Sequence, residues 1–430
     1  MNQNLDDFLK SHGLDADLYD FENEVVQFQE SMVDGLNQNG GIMEMLPTYV
    51  GIPDEILPNT KVLVIDLGGT NLRVGLVGFD DDANSEILEF RKQKMPGVEH
   101  AVDKNEVFDA IAQMTADLVP QTKYVGFCFS NPFEILENGD ARVLHFGKEL
   151  KVDGMVGCLI IENLKQAWSR AGFTGEVHVT VLNDTVSTLL MGKLLNPHRK
   201  VSGFVGFILG TGLNISYVEA NSNIRKVKGL NPEFSQIINT ECGDYSLFSR
   251  SEFDEIMDAT TRNKGRYLME KMVSGAFVGR LVATVINEAA KEGVIGEGVE
   301  GKVTTKHVND FLIDKRDPSN PLMQKCEASP ELRPSFFLVI DAVLERAAKL
   351  VAIQLVAVLR KSGIRDNYDA PILLSIDGSC YAGEYFYRER IEAYLWKYLT
   401  WKSGIRFEVI RPENASLLGA SVAALGSQFS

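Results

Sequence analysis

The sequence predicts an α/β protein in two units, each built on a mixed sheet, and three observations carry that prediction. The chain is 430 residues long, more than one small core organises, so two domains are expected. Strand-like apolar runs alternate with helical stretches along most of it, the pattern of α/β architecture. Two glycine turns of similar build, Asp66-Leu67-Gly68-Gly69-Thr70-Asn71 and Leu209-Gly210-Thr211-Gly212-Leu213-Asn214, each lie between two apolar runs. Each reads as strand, tight turn, strand, and one in each half points to duplication of a lobe.

In chain order, residues 15–40 read as helical and lead into a connector, 45–50, that contains Pro47. Strands are expected at 62–66, 72–79 and 87–93, then a helix near 105–118 and a buried strand at 124–129. A polar loop covers 130–153. Helix 156–171, strand 177–182 and helix 185–195 follow, and Pro197 closes the unit. The second unit opens with strands 203–209 and 214–219 and continues through a loop-rich stretch. Helices at 265–291 and 334–361, strand 371–376, helix 383–398, strand 406–410 and a final helix 415–425 complete it. No short-period repeat or low-complexity segment is visible.

The formal charge of −16, with no basic stripe to offset it, excludes nucleic acid and an anionic membrane surface as expected partners. The five cysteines (128, 158, 242, 326, 380) are widely spaced without a CxxC pair. They read as buried, reduced thiols of a cytoplasmic protein rather than a disulfide framework or zinc site. The N-terminus lacks a basic start and an apolar core, so no signal peptide is expected. The longest apolar stretch, 350–359, includes Gln354 and is too short to span a bilayer.

A turn of glycine and threonine lets backbone N–H groups and a hydroxyl converge on an anion with no Cβ in the way. Two such turns would clamp a triphosphate between lobes. Neither matches GxxxxGK[ST] or GxGxxG, so the phosphate site is of neither P-loop nor Rossmann kind. Asp66 ends a strand where its carboxylate can hold magnesium, through water given how much hydration that ion keeps; the alternative is a simple turn residue. Asp184, in Asn183-Asp184-Thr185 at a strand-to-helix junction, suits either an N-cap or a catalytic base. Taken singly, Ser130, Lys148, Glu241 and Glu270 read as a turn serine, a surface lysine, a loop acid and a solvated helix face. Glycine turns also lie at Asp377-Gly378-Ser379 and before the small-residue helix at Glu413-Asn414-Ala415-Ser416. A helix N-terminus beside such a turn suits phosphate, while core packing accounts for the alanines.

Taken in order, these pieces resemble the hexokinase family in its eukaryotic-type, ATP-dependent form. The resemblance runs from about Val33 to Leu425. It rests on Met45-Leu46-Pro47-Thr48-Tyr49-Val50, Asp66 to Val74, Gly126-Phe127-Cys128-Phe129-Ser130, Asn183-Asp184-Thr185, and Gly210-Thr211-Gly212 with Asn214. It continues through Asn239-Thr240-Glu241, Glu270-Lys271-Met272 with Ser274-Gly275, and Asp377-Gly378-Ser379.

That resemblance implies a two-lobed actin-like ATPase (ribonuclease H-like) fold with duplicated mixed sheets and flanking helices. It places 61–195 plus 411–430 in a small lobe and 1–60 plus 196–410 in a large one. It implies transfer of a phosphoryl group from Mg-ATP to the 6-hydroxyl of a hexose, D-glucose first. Asp184 would be the base, assisted by Lys148 near the transferred group. Ser130, Lys148, Asn183, Asp184, Asn214, Glu241 and Glu270 would hold the sugar. Asp66, Gly68, Gly69, Thr70, Asn71, Arg73, Thr211, Gly275, Gly378 and Ser379 would line the ATP site, with Asp66 toward Mg2+. Three positions depart from the family pattern: Asn131, Gly147, which removes a hydroxyl, and Cys242 in place of a tryptophan. These bear on which hexose is preferred. A sugar sensor without catalysis is the alternative on this fold.

Overall fold

Strand order is the same in both halves. In the first sheet, Thr60–Leu67 pairs antiparallel with Asn71–Phe79, which pairs with Ser85–Lys94; on its other side it runs parallel to Tyr124–Phe129, then His178–Leu182. In the second, Gly203–Leu209 pairs antiparallel with Leu213–Ala220, which pairs with Ser235–Asn239; on its other side it runs parallel to Ile372–Asp377, then Phe407–Ile410. Numbered within its own half, these five strands read 3-2-1-4-5 in each sheet. This is the duplicated, two-lobed architecture of actin-like ATPases, and each glycine turn joins the first two strands of its sheet. The computed structural model describes residues 3–53, 55–146, 150–196, 199–362, 370–383 and 387–426. Among them, no helix is long and apolar enough to cross a membrane.

Helix Arg333–Lys361, whose stretch from Ala347 to Leu359 is wholly buried, shares one hydrophobic core with the second sheet. Helices Phe21–Asn37, Val278–Lys291 and Tyr387–Leu395 surround it. The N-terminal segment thus belongs to the core of the second half. All five cysteines are buried, and none forms a disulfide among the described residues.

Several elements differ from the sequence reading. The connector 45–50 contributes an edge strand, Leu46–Pro47, to the second sheet; proline is tolerated there because an edge need not donate on its outer side. The loop 130–153 contains a hairpin, Phe133–Ile135 with Ala141–Val143, and a strand, Val152–Asp153. The helix expected at 265–291 is two, Leu268–Val273 and Val278–Lys291. It breaks because Gly275 turns aside to donate its N–H to Gly210 O at 2.7 Å. The helix expected at 383–398 is Tyr387–Leu395, continued as a wide turn over Trp396–Trp401. Helix Glu252–Ala259 and strand Ser235–Asn239 lie in the stretch expected to be loop-rich, and helices Gln3–Ser11, Thr305–Leu312 and Pro321–Ala328 lie where the sequence reading assigns no element.

The small residues of helix Ala415–Leu425 have a packing cause. This helix lies against strands Thr60–Leu67 and Tyr124–Phe129 and crosses helix Asp184–Leu195. A Cβ on Gly419 would overlap the Ser187 carbonyl, and one on Gly126 would overlap that of Ala420. Ser187 donates its hydroxyl to the carbonyls of Ala415 and Ser416, both at 2.9 Å. Gly419→Ala is expected to destabilise the protein by about 1–3 kcal/mol, because a backbone carbonyl cannot rotate away as a side chain can. A lower urea midpoint at unchanged m-value would show it.

Candidate active site

Antiparallel pairing sets Asp66 opposite Arg73, and parallel pairing sets it beside Cys128. Its carboxylate is buried, accepts the Ser416 hydroxyl at 2.8 Å and lies 3.5 Å from the Arg73 guanidinium. Burial pushes this carboxyl up, against the pull of Arg73 and Ser416, and the negative charge of Asp184 adds to the rise. Burial and the same two aspartates hold the Cys128 thiol well above its ordinary value. Gly68 donates to Asn71 O at 3.1 Å to close the turn, and Gly69 and Thr70 form its outer, partly exposed tip.

The second turn closes through Gly210 N–H to Gly212 O at 3.0 Å and is held between two other segments. Gly275 donates to Gly210 O, and Ala276 donates to Thr211 O at 3.3 Å, leaving Thr211 exposed at the tip. Gly378, at φ +120°, lies where a Cβ would overlap the backbone of Leu209. That conformation favours glycine both by φ and by space. Thr211, Gly275 and Gly378 therefore converge, with Ser379 beginning the short helix Ser379–Gly383 beside them. Next to Gly378 opens a cavity of about 260 Å³, lined by Ile376, Asp377, Tyr381, Arg411 and Pro412 among others.

A chain of side chains links the two sheets. Asn183 is the N-cap of helix Asp184–Leu195, accepting Thr185 N–H at 2.9 Å, so Asp184 is the first helical residue and not the cap. The amide of Asn183 donates to Phe129 O at 3.2 Å, next to Ser130. Asn214 donates to Asn183 Oδ1 at 3.4 Å, to Asn239 Oδ1 at 2.7 Å and to Glu241 Oε1 at 3.3 Å. Asn239 donates to Glu241 Oε1 at 2.7 Å. Glu270 Oε2 accepts Leu213 N–H at 3.1 Å and occupies space that a Cβ on Gly212 would need. Asn183, Asn214, Glu241 and Glu270 are thus brought together, with Asp184 at the same strand end. Lys148 and Gly147 lie outside the described residues.

Three contributors went unassigned from sequence. Asn239 carries two bonds of the network, and it stands in the same triplet as Glu241. Ser416 reaches Asp66 from a turn 350 residues away in sequence, a contact that local pattern cannot show. Asp377 caps its own turn by accepting Gly378 N–H at 2.7 Å. Its carboxyl is raised by burial and then by the charge of Asp184.

Two like sheets, each with a glycine turn joining its first two strands, and a network of amides and carboxylates at the strand ends place the chain in the actin-like ATPase fold class. Two models of the hexokinase family match the chain, over residues 4–194 and 204–426. Human Hexokinase-1 is 31% identical over 429 residues, covering 93% of this chain and 45% of that protein. Hexokinase-7 of Oryza sativa subsp. japonica is 28% identical over 435 residues, covering 93% and 92%. The chain spans about half the length of the mammalian hexokinases it matches. A Schistosoma mansoni hexokinase solved with glucose superposes at a TM-score of 0.81 and 27% identity, over 98% of this chain and 99% of that one. The chain belongs to the hexokinase family.

Proposed function

We propose that this chain transfers the γ-phosphoryl of Mg-ATP to the 6-hydroxyl of a hexose, D-glucose first, giving hexose 6-phosphate and ADP. The observation that carries the reading is the linked set Asn183, Asn214, Asn239, Glu241, with Asp184 beside it, which joins the end of a first-sheet strand to the residue that follows the second glycine turn. Amides that both donate and accept, mixed with carboxylates that only accept, suit a ligand made of hydroxyl groups. Asp184 takes the proton of the attacking hydroxyl, while Ser130, Glu270 and Lys148 complete the sugar's surroundings. Phosphoryl transfer depends on positioning and charge compensation, supplied here by the turns at 68–71 and 210–212 and by Arg73. The adenosine end of the nucleotide enters the cavity beside Gly378 and Ser379.

A single buried carboxylate such as Asp66 suits an ion that arrives on the nucleotide phosphates with its own waters. Among the described residues there is no cluster of three or more His, Cys, Asp or Glu side chains to cage a metal. Magnesium, when bound, compensates phosphate charge; Asp66 orients its water shell. Asp66→Asn separates this role from stability. Because the folded-state carboxyl is raised, its favourable protonation is complete below about pH 4 and lost as pH rises through the folded value. The variant is expected to melt no lower than wild type at pH 7 by calorimetry, while turnover falls about 10–100-fold.

The small lobe is assigned to 61–195 plus 411–430 and the large lobe to 1–60 plus 196–410. Supporting this, helix Ala415–Leu425 packs on the first sheet and residues 5–45 enter the second core. A cytoplasmic setting is in keeping with five buried cysteines outside any disulfide among the described residues. ADP release from Mg-ATP with D-glucose, D-mannose, D-fructose and N-acetylglucosamine tests the reaction. Turnover with one of them establishes a hexose kinase and its preference. Sugar binding by calorimetry without turnover would replace it with the sensor reading.

A further inference from the structure

Glu241 and Glu270 stand on different segments, and each segment is held in an unusual backbone conformation. Glu241 has φ +53°, and Tyr267, just before helix Leu268–Val273, has φ +54°. Left-handed conformations are disfavoured for residues with a Cβ and persist where surroundings impose them. One residue of the first segment reaches the second. Asp244 Oδ1 accepts the Tyr267 N–H at 2.6 Å, and Oδ2 accepts Arg266 Nε at 2.8 Å. The backbone N–H of Asp244 donates to Glu241 O at 3.3 Å. Between them, Gly243 lies so close that a Cβ there would be 3.4 Å from Glu270 Cβ. Burial lifts the Tyr267 phenol to about 12, with the charge of Glu241 next and that of Glu270 contributing.

We propose that Asp244 is a positioning residue, which fixes the spacing of Glu241 and Glu270 and thereby sets affinity for the hexose. The inference rests on those two acids being sugar ligands, as in the proposed function. Without the Asp244 carboxylate, the Tyr267 N–H loses its partner and that residue is free to return to an ordinary φ. Helix Leu268–Val273 then starts differently and Glu270 shifts relative to Glu241. Carboxylate-to-hydroxyl bonds are directional, so such a shift weakens sugar binding before it affects chemistry. Arg266 pairs with the Asp244 charge, which keeps a third carboxylate from repelling the two that face the sugar.

The test is Asp244→Ala, with Asp244→Asn as the conservative variant, assayed on the hexose of highest turnover from the panel. Asp244→Ala is expected to raise both the sugar KM and the calorimetric sugar Kd about tenfold or more, with kcat and the KM for ATP within about threefold of wild type. Asp244→Asn keeps an acceptor for the Tyr267 N–H and is expected to fall between. A sugar KM within about twofold of wild type for a folded Asp244→Ala would overturn the proposal. Glu270→Gln is the control: if it raises the sugar KM and Asp244→Ala does not, the sugar site stands and the role of Asp244 falls. If neither raises it, both fall. Should Asp244→Ala not fold, Arg266→Ala removes the ion pair alone and is expected to raise the sugar KM about threefold; no change would overturn the proposal.

Discussion

Asp184→Asn is expected to lower turnover by about 10²–10⁴-fold, the contribution typical of a positioned general base, while leaving sugar binding nearly intact. Asparagine has the same shape and keeps an oxygen that can accept the Thr185 N–H, which Asp184 Oδ1 receives at 2.9 Å. Helix initiation is untouched, because the capping side chain belongs to Asn183. What the substitution removes is the capacity to take a proton from the attacking hydroxyl. Steady-state ADP release, paired with calorimetric sugar binding, separates the two effects. A kcat within about threefold of wild type would place the base elsewhere. A parallel loss of sugar binding would instead make Asp184 chiefly a ligand.

The second large effect concerns stability and lies far from the cleft. Arg346, in the middle of helix Arg333–Lys361, is fully buried and forms two bonds with Asp254, at 2.6 and 2.8 Å. Asp254 also caps helix Glu252–Ala259 through a reciprocal bond with Ser251. Burial alone would push the Asp254 carboxyl up; the adjacent Arg346 outweighs it and holds the carboxyl below its ordinary value. Arg346→Met leaves an aspartate buried without its counter-charge, so a loss of about 3–5 kcal/mol is expected. Since the folded-state carboxyl is depressed, the pair's contribution is complete above about pH 4 and lost as pH falls through the folded value. Urea unfolding of wild type and variant at pH 7 and near pH 3 would show the gap narrowing in acid. Replacing both partners by apolar residues of similar volume should cost much less than removing one.

The sheets were legible because their first two strands are long apolar runs joined by glycine turns. Expected strands at 72–79, 124–129 and 203–209 lie within a residue of those observed. Helices were hidden where their stabilising contacts are distant. Thr305–Leu312 begins with a capping box, but its first residues also pack against Gly279, which no local pattern shows. The break at Ser274–Gly275 escaped the periodicity of residues 265–291, since its cause is Gly210, over sixty positions earlier. Motif order singled out Asn183, Asn214, Glu241 and Glu270, which the structure brings together. It did not separate the capping role of Asn183 from the neighbouring acid, a distinction made only by the hydrogen bonds to Thr185.

Helix Ala415–Leu425 has a consequence for synthesis of the chain. It fills one face of a sheet whose strands all lie between residues 60 and 182, and it pairs with a helix complete by Leu195. The ribosome makes over two hundred further residues before that partner emerges. Throughout elongation, the nascent first half carries an uncovered apolar face that includes Val62, Val64, Leu182, Val186 and Leu189. Exposed apolar surface of this kind engages chaperones or neighbouring chains. The first half therefore reaches its final packing only after residues 415–425 have left the exit tunnel.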